Sequence, residues 1–352
     1  MDPAQKRFGR RELFCAGAYS LALLWINVYV CRELFFSQTA WMNSMHGFWI
    51  ALAARAGGGW FHASWWPYWD CGIPLEFTYA PLIPLATELW ASLRGVPHAL
   101  AFNVVTGAVY CLGPLTLFLM AWLLTRLPGY SFAAALFYSL TAPTQLLVPD
   151  SEYSLTKFWD ARRLFVIGIW DEAPHLAALT FLPLAILFLS LATRTRRFAH
   201  AAAAVVSIAL TALASAFGPI EVTMAALCLL FVLRRESWKR NVALTAGIGV
   251  FAWAVCAPYY PPSLIQAIVG STGNHFEGGW GTGSITALAI IAVGWAILWR
   301  FLPRWTTDWR LQFFALFAYL TSSVPLLDAY LHHQFLPSPR ATSWKWSSLW
   351  LL

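Results

Sequence analysis

Five of the sixteen acidic residues of this chain fall within one stretch, residues 149–173. Two of them, Asp171 and Glu172, stand directly before an apolar segment whose first turn contains His175. Carboxylates beside an imidazole can accept a proton from a hydroxyl group or bind a divalent cation. We therefore treat Asp171, Glu172 and His175 as candidate catalytic residues. The alternative is a solvated loop held by internal salt bridges.

Two adjacent arginines, Arg162 and Arg163, lie in the same stretch. A guanidinium group binds phosphate through paired N–H donors. The pair is therefore a candidate phosphate ligand, although the same residue types also suit salt bridges within the loop.

A second polar stretch, residues 32–76, is rich in aromatic residues. Its first part has apolar residues at helical spacing and predicts an amphipathic helix lying in a membrane interface with its aromatic face in the lipid; these residues are Trp41, Met45, Phe48, Trp49 and Leu52. Asn43 and His46 are three residues apart and therefore lie close to one face of that helix. The tryptophan cluster that follows includes Trp66, Trp69 and Asp70. It is typical of an interfacial aromatic belt, or alternatively of a stacking platform for a sugar or a lipid-linked head group.

The elements that must position these residues are membrane helices. The chain has 59% hydrophobic and only 11% charged residues, whereas soluble domains carry about 25% charged residues. Its long apolar runs approach the roughly 20 residues that a helix needs to cross a bilayer. We predict an all-α, polytopic membrane protein with about nine or ten hydrophobic segments. The net charge of +7 then reflects basic residues kept on the cytoplasmic side, and not a nucleic-acid partner.

The basic clusters give a predicted topology with a cytoplasmic N-terminus in the cell membrane. We expect one integral membrane domain with a first span at 13–31, a large external loop at 32–76, hydrophobic segments over 77–148, an external acidic loop at 149–173, further spans over 174–331 and an external tail at 332–352. Residues 77–148 contain three apolar segments, 77–93, 99–125 and 129–148, and the next predicted span is near 174–192. The chain must cross an even number of times between the two external loops, so one of the three segments should not cross. Residues 77–93 are the weakest segment because they contain two prolines and Glu88. The tail ends as if it entered another apolar segment, so we expect a fragment of a longer chain.

The six cysteines have no metal-binding or paired spacing, and most lie in apolar runs. We interpret them as small residues facing the core or the lipid. No metal ligand set is predicted, although the acids leave a divalent metal ion as a candidate cofactor.

One segment resembles a known family. Residues 66–82, WPYWDCGIPLEFTYAPL, are similar to a signature of bacterial membrane proteins described as related to 6-pyruvoyl-tetrahydropterin synthase, within the wider GT-C-like group of glycosyltransferases. The segments Gly129–Pro143, Gly168–Leu184 and Pro337–Arg340 also resemble elements of that family. The resemblance covers residues 13–220 well and the remainder loosely.

The resemblance implies a GT-C-like fold that transfers a sugar from a polyprenyl-phosphate donor at the extracytoplasmic face. Membrane lipid and the donor are then the expected partners; protein partners are not predicted. External acids, Asp70 among them, would activate the acceptor, while the arginines, Trp66, Trp69, Tyr79 and His46 would bind substrate. One departure is that Asn43 stands near the position where the family has an aspartate before His46. The rival hypotheses are a noncatalytic membrane scaffold that keeps the fold and, with less support, a transporter.

Overall fold

The computed structural model shows an almost entirely helical chain, as predicted. It describes residues 8–36, 44–56, 65–68, 71–74, 78, 80–142, 158–169, 171–233, 237–266 and 282–335, although for 44, 282–285, 287–288 and 324–335 it describes only the backbone. Within these ranges the sheet consists of two strands of two residues each. Strand β1 (Trp65–Trp66) pairs antiparallel with β2 (Ile73–Pro74) to form a hairpin.

The helices follow the apolar runs of the sequence. In chain order they are α1 (Arg10–Val30), α2 (Arg32–Phe36), α3 (Ser44–Ala56), α4 (Leu82–Arg94), α5 (His98–Thr125), α6 (Pro128–Leu140), α7 (Arg162–Gly168), α8 (Ala173–Thr195), α9 (Phe198–Ala214), α10 (Gly218–Val232), α11 (Trp238–Cys256), α12 (Thr282–Trp305) and α13 (Trp309–Phe335).

Three of the described helices, α1, α5 and α8, are long and apolar enough to cross a membrane. Their positions match the predicted spans at 13–31, 99–125 and 174–192. Only 17% of the most apolar window of α1 is buried within the protein, against 72% for α8. Phe14 and Trp25 on α1 are exposed accordingly. The protein is therefore a membrane protein in which the side chains of α1 are mostly exposed and those of α8 mostly buried.

The helices on either side of α5 are short. Both α4 and α6 contain 13 residues and are about 20 Å long, whereas the hydrocarbon core is about 30 Å thick. For α4 this is the length expected of a segment that does not cross. The sequence predicted a crossing near 129–148, but α6 ends at Leu140. The number of crossings and their direction stay predictions.

The chain divides into two compact units; that it forms a single integral membrane domain stays a prediction. The first contains Met1–Ala142, Trp159–Val222 and Thr245–Tyr260; the second contains Pro143–Phe158, Thr223–Leu244 and Pro261–Leu352. In the second unit α12 packs against α13, where the hydroxyl of Tyr319 donates to the carbonyl of Ile291 at 3.3 Å.

The core of the first unit includes the aromatic face of α3. Trp49 and Leu52 are buried there, and the ring of Phe48 meets the ring of Trp66 edge-on, with centroids 5.3 Å apart. We expected this face to lie in lipid. The helix forms as predicted, but α4, α5 and the hairpin cover its apolar face. Packing against neighbouring elements of the same chain buries aromatic area as well as lipid does.

Candidate functional site

The candidate site is built around Asp171, in the linker between α7 and α8. Its backbone has a φ of 58°, a left-handed conformation that aspartate tolerates better than most residues. The next amide, that of Glu172, donates to the carbonyl of Val166 at 2.9 Å. This reversal turns the chain at the end of α7 and directs the Asp171 side chain towards α3.

Three residues of α3 contact this linker. The Met45 N–H donates to Oδ2 of Asp171 at 3.1 Å, and the indole N–H of Trp49 donates to the Asp171 carbonyl at 2.8 Å. Nε2 of His46 lies 3.0 Å from Oδ1 of Asp171 and 2.7 Å from the carbonyl oxygen of Ile167. Residues 45, 46 and 49 share a helix face. Two loops far apart in the sequence thus form one site.

The electrostatics of Asp171 reflect its burial, since only 3% of the residue is exposed. Burial raises the pKa of the Asp171 carboxyl above its ordinary value, and the neighbouring His46 ring and Met45 N–H offset part of that rise. Met45 is in the first turn of α3, where unpaired amides and the helix dipole stabilise an anion. The Asp171 carboxylate is therefore shielded from solvent, and the Met45 N–H and the His46 ring offset part of the cost of its burial.

The tautomer of His46 follows from its neighbours. A carbonyl oxygen only accepts hydrogen bonds, so Nε2 next to Ile167 must carry the hydrogen. Nδ1 is then the ring nitrogen left to accept a proton. The His46 ring also meets the Phe102 ring edge-on, at a centroid distance of 5.5 Å, which fixes its plane.

His46 lines a cavity of about 320 Å³ in the first unit. The walls are mostly apolar and come from the end of α1, α2, α5 and α7; among them are Val30, Leu34, Phe102, Leu164 and Ile167. The polar lining residues include Glu33, Asn103 and Thr106. Such a cavity suits a ligand with a hydrocarbon part and a few polar groups.

Glu33 is the residue of this site that the sequence reasoning missed. It is exposed, belongs to α2 and lines the same cavity as His46. An ionisable residue directly after the first span was the signal that could have found it. Glu33 is also an acid early in the predicted external loop at 32–76, where the sequence near His46 offers only Asn43.

The other candidates of the acidic loop lie at different places. Glu172 is the N-cap residue of α8, and His175 is buried in the first turn with its ring against Phe217, at a centroid distance of 6.1 Å. Neither residue lines the cavity around His46. The structure thus brings Asp171 to His46 and gives Glu172 and His175 positions at the start of α8.

Arg163 is buried, with 1% of the residue exposed. Its Nη2 donates to the Tyr110 carbonyl at 2.8 Å, and its guanidinium carbon lies 4.6 Å and 4.7 Å from the ring centroids of Tyr110 and Tyr138. That carbonyl lacks its usual helical donor because residue 114 is a proline within α5. Arg162 is also buried. The two arginines predicted to bind phosphate lie inside the protein, and neither lines the cavity.

Of the aromatic candidates, the structure describes Trp66. It is buried in the core against Phe48 and Tyr68, so its ring is covered. Trp69, Asp70 and Tyr79 lie outside the described residues, as do Asp150 and Glu152 of the acidic loop. Within the described part of the chain, no three His, Cys, Asp or Glu side chains cluster as a metal site would require.

Comparison of the chain with protein-family models, with curated proteins and with solved structures gives no match. The resemblance at residues 66–82 therefore stays a prediction, and the site is interpreted from its own geometry.

Proposed function

We propose that this protein is a membrane glycosyltransferase that takes a sugar from a polyprenyl-phosphate donor at the extracytoplasmic face. The observation that carries the proposal is the His46–Asp171 pair, 3.0 Å apart, because His46 lines a mostly apolar cavity of about 320 Å³ and Asp171 lies directly behind it. A proton acceptor beside a hydrocarbon-lined space suits a reaction whose donor has a lipid chain and whose acceptor is a hydroxyl group.

In this proposal His46 is the catalytic base and Asp171 is its positioning residue. The acceptor oxygen attacks the anomeric carbon of the donor sugar as the bond from that carbon to the phosphate oxygen breaks. The hydroxyl proton passes to Nδ1 of His46, and the polyprenyl phosphate leaves with the bonding electron pair. The Ile167 carbonyl holds the Nε2–H tautomer, and the Asp171 carboxylate, 3.0 Å from Nε2, stabilises the imidazolium that forms, as a buried carboxylate does for other catalytic histidines.

The cavity supports a lipid-linked donor in preference to a free nucleotide sugar. Val30 and Leu34 at the end of the first span and Phe102 of α5 give it apolar walls. A prenyl chain gains about 0.8 kcal/mol for each buried methylene group. Asn103 and Thr106 line the same space and offer hydrogen bonds to sugar hydroxyls.

The second acid, Glu33, gives an alternative assignment of the base within the same function. A carboxylate can take the acceptor proton directly, and Glu33 needs no partner to do so. His46→Gln and Glu33→Gln separate the two assignments, because the variant that removes the base should lose turnover while the other keeps most of it.

The experiment uses the full chain in proteoliposomes with a polyprenyl-phosphate-linked hexose, and mass spectrometry detects the released polyprenyl phosphate. We expect His46→Gln to lower the rate by about 10²–10⁴-fold, the usual contribution of general base catalysis. Asp171→Asn should lower it by a comparable factor. Glu88→Gln is the matched control, because Glu88 pairs with His98 on α4 and α5 away from the cavity. Wild-type rates in all three site variants, including Glu33→Gln, would refute the proposal.

A second function follows from the buried arginines and the covered Trp66. The sequence predicted these residues to bind substrate, but they are buried in the interior of the protein. This favours a membrane scaffold that binds lipid without catalysing a reaction. In that case the wild-type protein would retain polyprenyl phosphate in native mass spectrometry, yet no donor would be consumed. Donor consumption that depends on His46 excludes this alternative.

A further inference from the structure

We infer that Cys31 and Cys111 form a reversible disulfide at the wall of the cavity when a small thiol oxidant, such as a peroxide, enters it. The two Sγ atoms are 3.7 Å apart although the residues are 80 positions apart in the chain. The six cysteines are free thiols. The sequence predicted all of them to be inert core or lipid-facing residues.

The backbone near this pair allows close approach. Cys31 is the break between α1 and α2, with φ −102° and ψ 24°, and Cys111 lies within α5. One turn before Cys111, Gly107 leaves room for the ring of Phe35 from α2; a Cβ there would lie 2.7 Å from the ring. The absent side chain lets the α1–α2 junction lie against α5. To bond, the sulfur atoms need to close from 3.7 Å to the disulfide length of about 2.05 Å.

Access comes from the cavity. Both thiols are almost fully buried, but Cys31 lines the cavity, whereas Cys111 does not. A peroxide is small enough to enter a space of about 320 Å³. Cys31 is therefore the sulfur that an oxidant reaches first, and Cys111 is the resolving thiol behind it.

The chemistry needs only the peroxide as co-reactant. The Cys31 thiol attacks one peroxide oxygen, the O–O bond breaks, and water leaves when hydrogen peroxide is the oxidant, so that Cys31 becomes a sulfenic acid. The Cys111 sulfur then attacks the Cys31 sulfur, the S–O bond breaks, and a second water leaves. Two electrons pass from the thiol pair to the peroxide. The product links the end of the first span to α5 and moves a cavity wall residue, and a thiol reductant reverses the step.

The test is peroxide treatment of the purified full chain, followed by unfolding, alkylation of the remaining thiols and peptide mass spectrometry without reductant. We expect a linked Cys31–Cys111 peptide pair that dithiothreitol removes. Cys256→Ser is the matched control, because the Cys256 sulfur contacts the Ala209 carbonyl at 3.7 Å and no thiol; this variant should form the same link.

A second variant tests the order of reaction without relying on the disulfide. In Cys111→Ser the sulfenic acid has no resolving thiol, so dimedone should label Cys31. The inference is overturned if Cys31 and Cys111 both remain alkylatable at a peroxide dose that oxidises the exposed Cys71. It is equally overturned if Cys31 is linked to another cysteine in the wild-type chain, or if dimedone does not label Cys31 in Cys111→Ser.

Discussion

The buried contact between Arg163 and α5 gives a prediction that does not depend on function. The Tyr110 carbonyl accepts a hydrogen bond from Arg163 at 2.8 Å because Pro114, four residues later, has no N–H. Pro114→Ala would restore the helical donor to that carbonyl. The arginine and the proline should therefore be energetically coupled.

The magnitude follows from the groups involved. Arg163→Met removes a charge-assisted hydrogen bond of about 1.5–3 kcal/mol and two cation–π contacts of about 0.5–2 kcal/mol each. It also removes the cost of burying the guanidinium group. We expect a net loss of about 2–4 kcal/mol in the free energy of unfolding. In the Pro114→Ala background this loss should be smaller by about 1–3 kcal/mol, because the carbonyl is no longer left unsatisfied.

The assay is a double-mutant cycle on the equilibrium unfolding of the full chain in mixed micelles titrated with sodium dodecyl sulfate. Pro183→Ala is the matched control, since Pro183 interrupts α8 in the same way and its freed carbonyl is that of Leu179. The cycle of Arg163→Met with Pro183→Ala should be additive within about 0.5 kcal/mol. An equally small coupling energy between Arg163 and Pro114 would refute the reasoning.

Three further outcomes follow from the described contacts. Burial raises the pKa of Asp171, so the folded state binds its proton more readily; thermal melts should show wild type gaining stability relative to Asp171→Asn as the pH falls from neutral to about 4. Trp49→Phe removes a buried N–H donor and replaces the indole with a smaller ring, so it should cost at least about 1–2 kcal/mol in micellar unfolding, whereas Trp25→Phe at an exposed position should cost little. Gly113→Ala places a Cβ against the buried guanidinium group and should lower the melting temperature, while Gly129→Ala, with open space around it, should not.

Much of the fold could be predicted from the sequence because membrane helices carry a strong local signal. The apolar runs at 13–31, 99–125 and 174–192 correspond to α1, α5 and α8 to within a few residues. The helix at 44–56 was also predicted, because its aromatic residues recur at helical spacing. What covers that aromatic face could not be predicted, because lipid and an apolar protein surface favour the same residue types.

The candidate site was predicted only in part. Asp171 and His46 were both identified from their residue types, but their pairing across the two loops is a tertiary contact that no local pattern encodes. Arg163 suited phosphate by its chemistry, yet its use as a donor to Tyr110 depends on Pro114, in a different helix. Glu33 and the Cys31–Cys111 contact were not predicted, because both depend on the tertiary packing that forms the cavity beside them.

The bond between Met45 and Asp171 has a consequence for how the protein is made. The carboxylate that holds the first turn of α3 follows it in the chain by 126 residues. At about 5–20 residues per second, a ribosome supplies that carboxylate roughly 6–25 seconds after Met45 has been synthesised. During this interval the hairpin, α4 and α5, which cover the apolar face of α3, have been synthesised, while the first turn of α3 still lacks its carboxylate partner. The nascent chain therefore passes through a stage in which membrane insertion is ahead of loop folding, and slowing translation between α3 and α7 should prolong it.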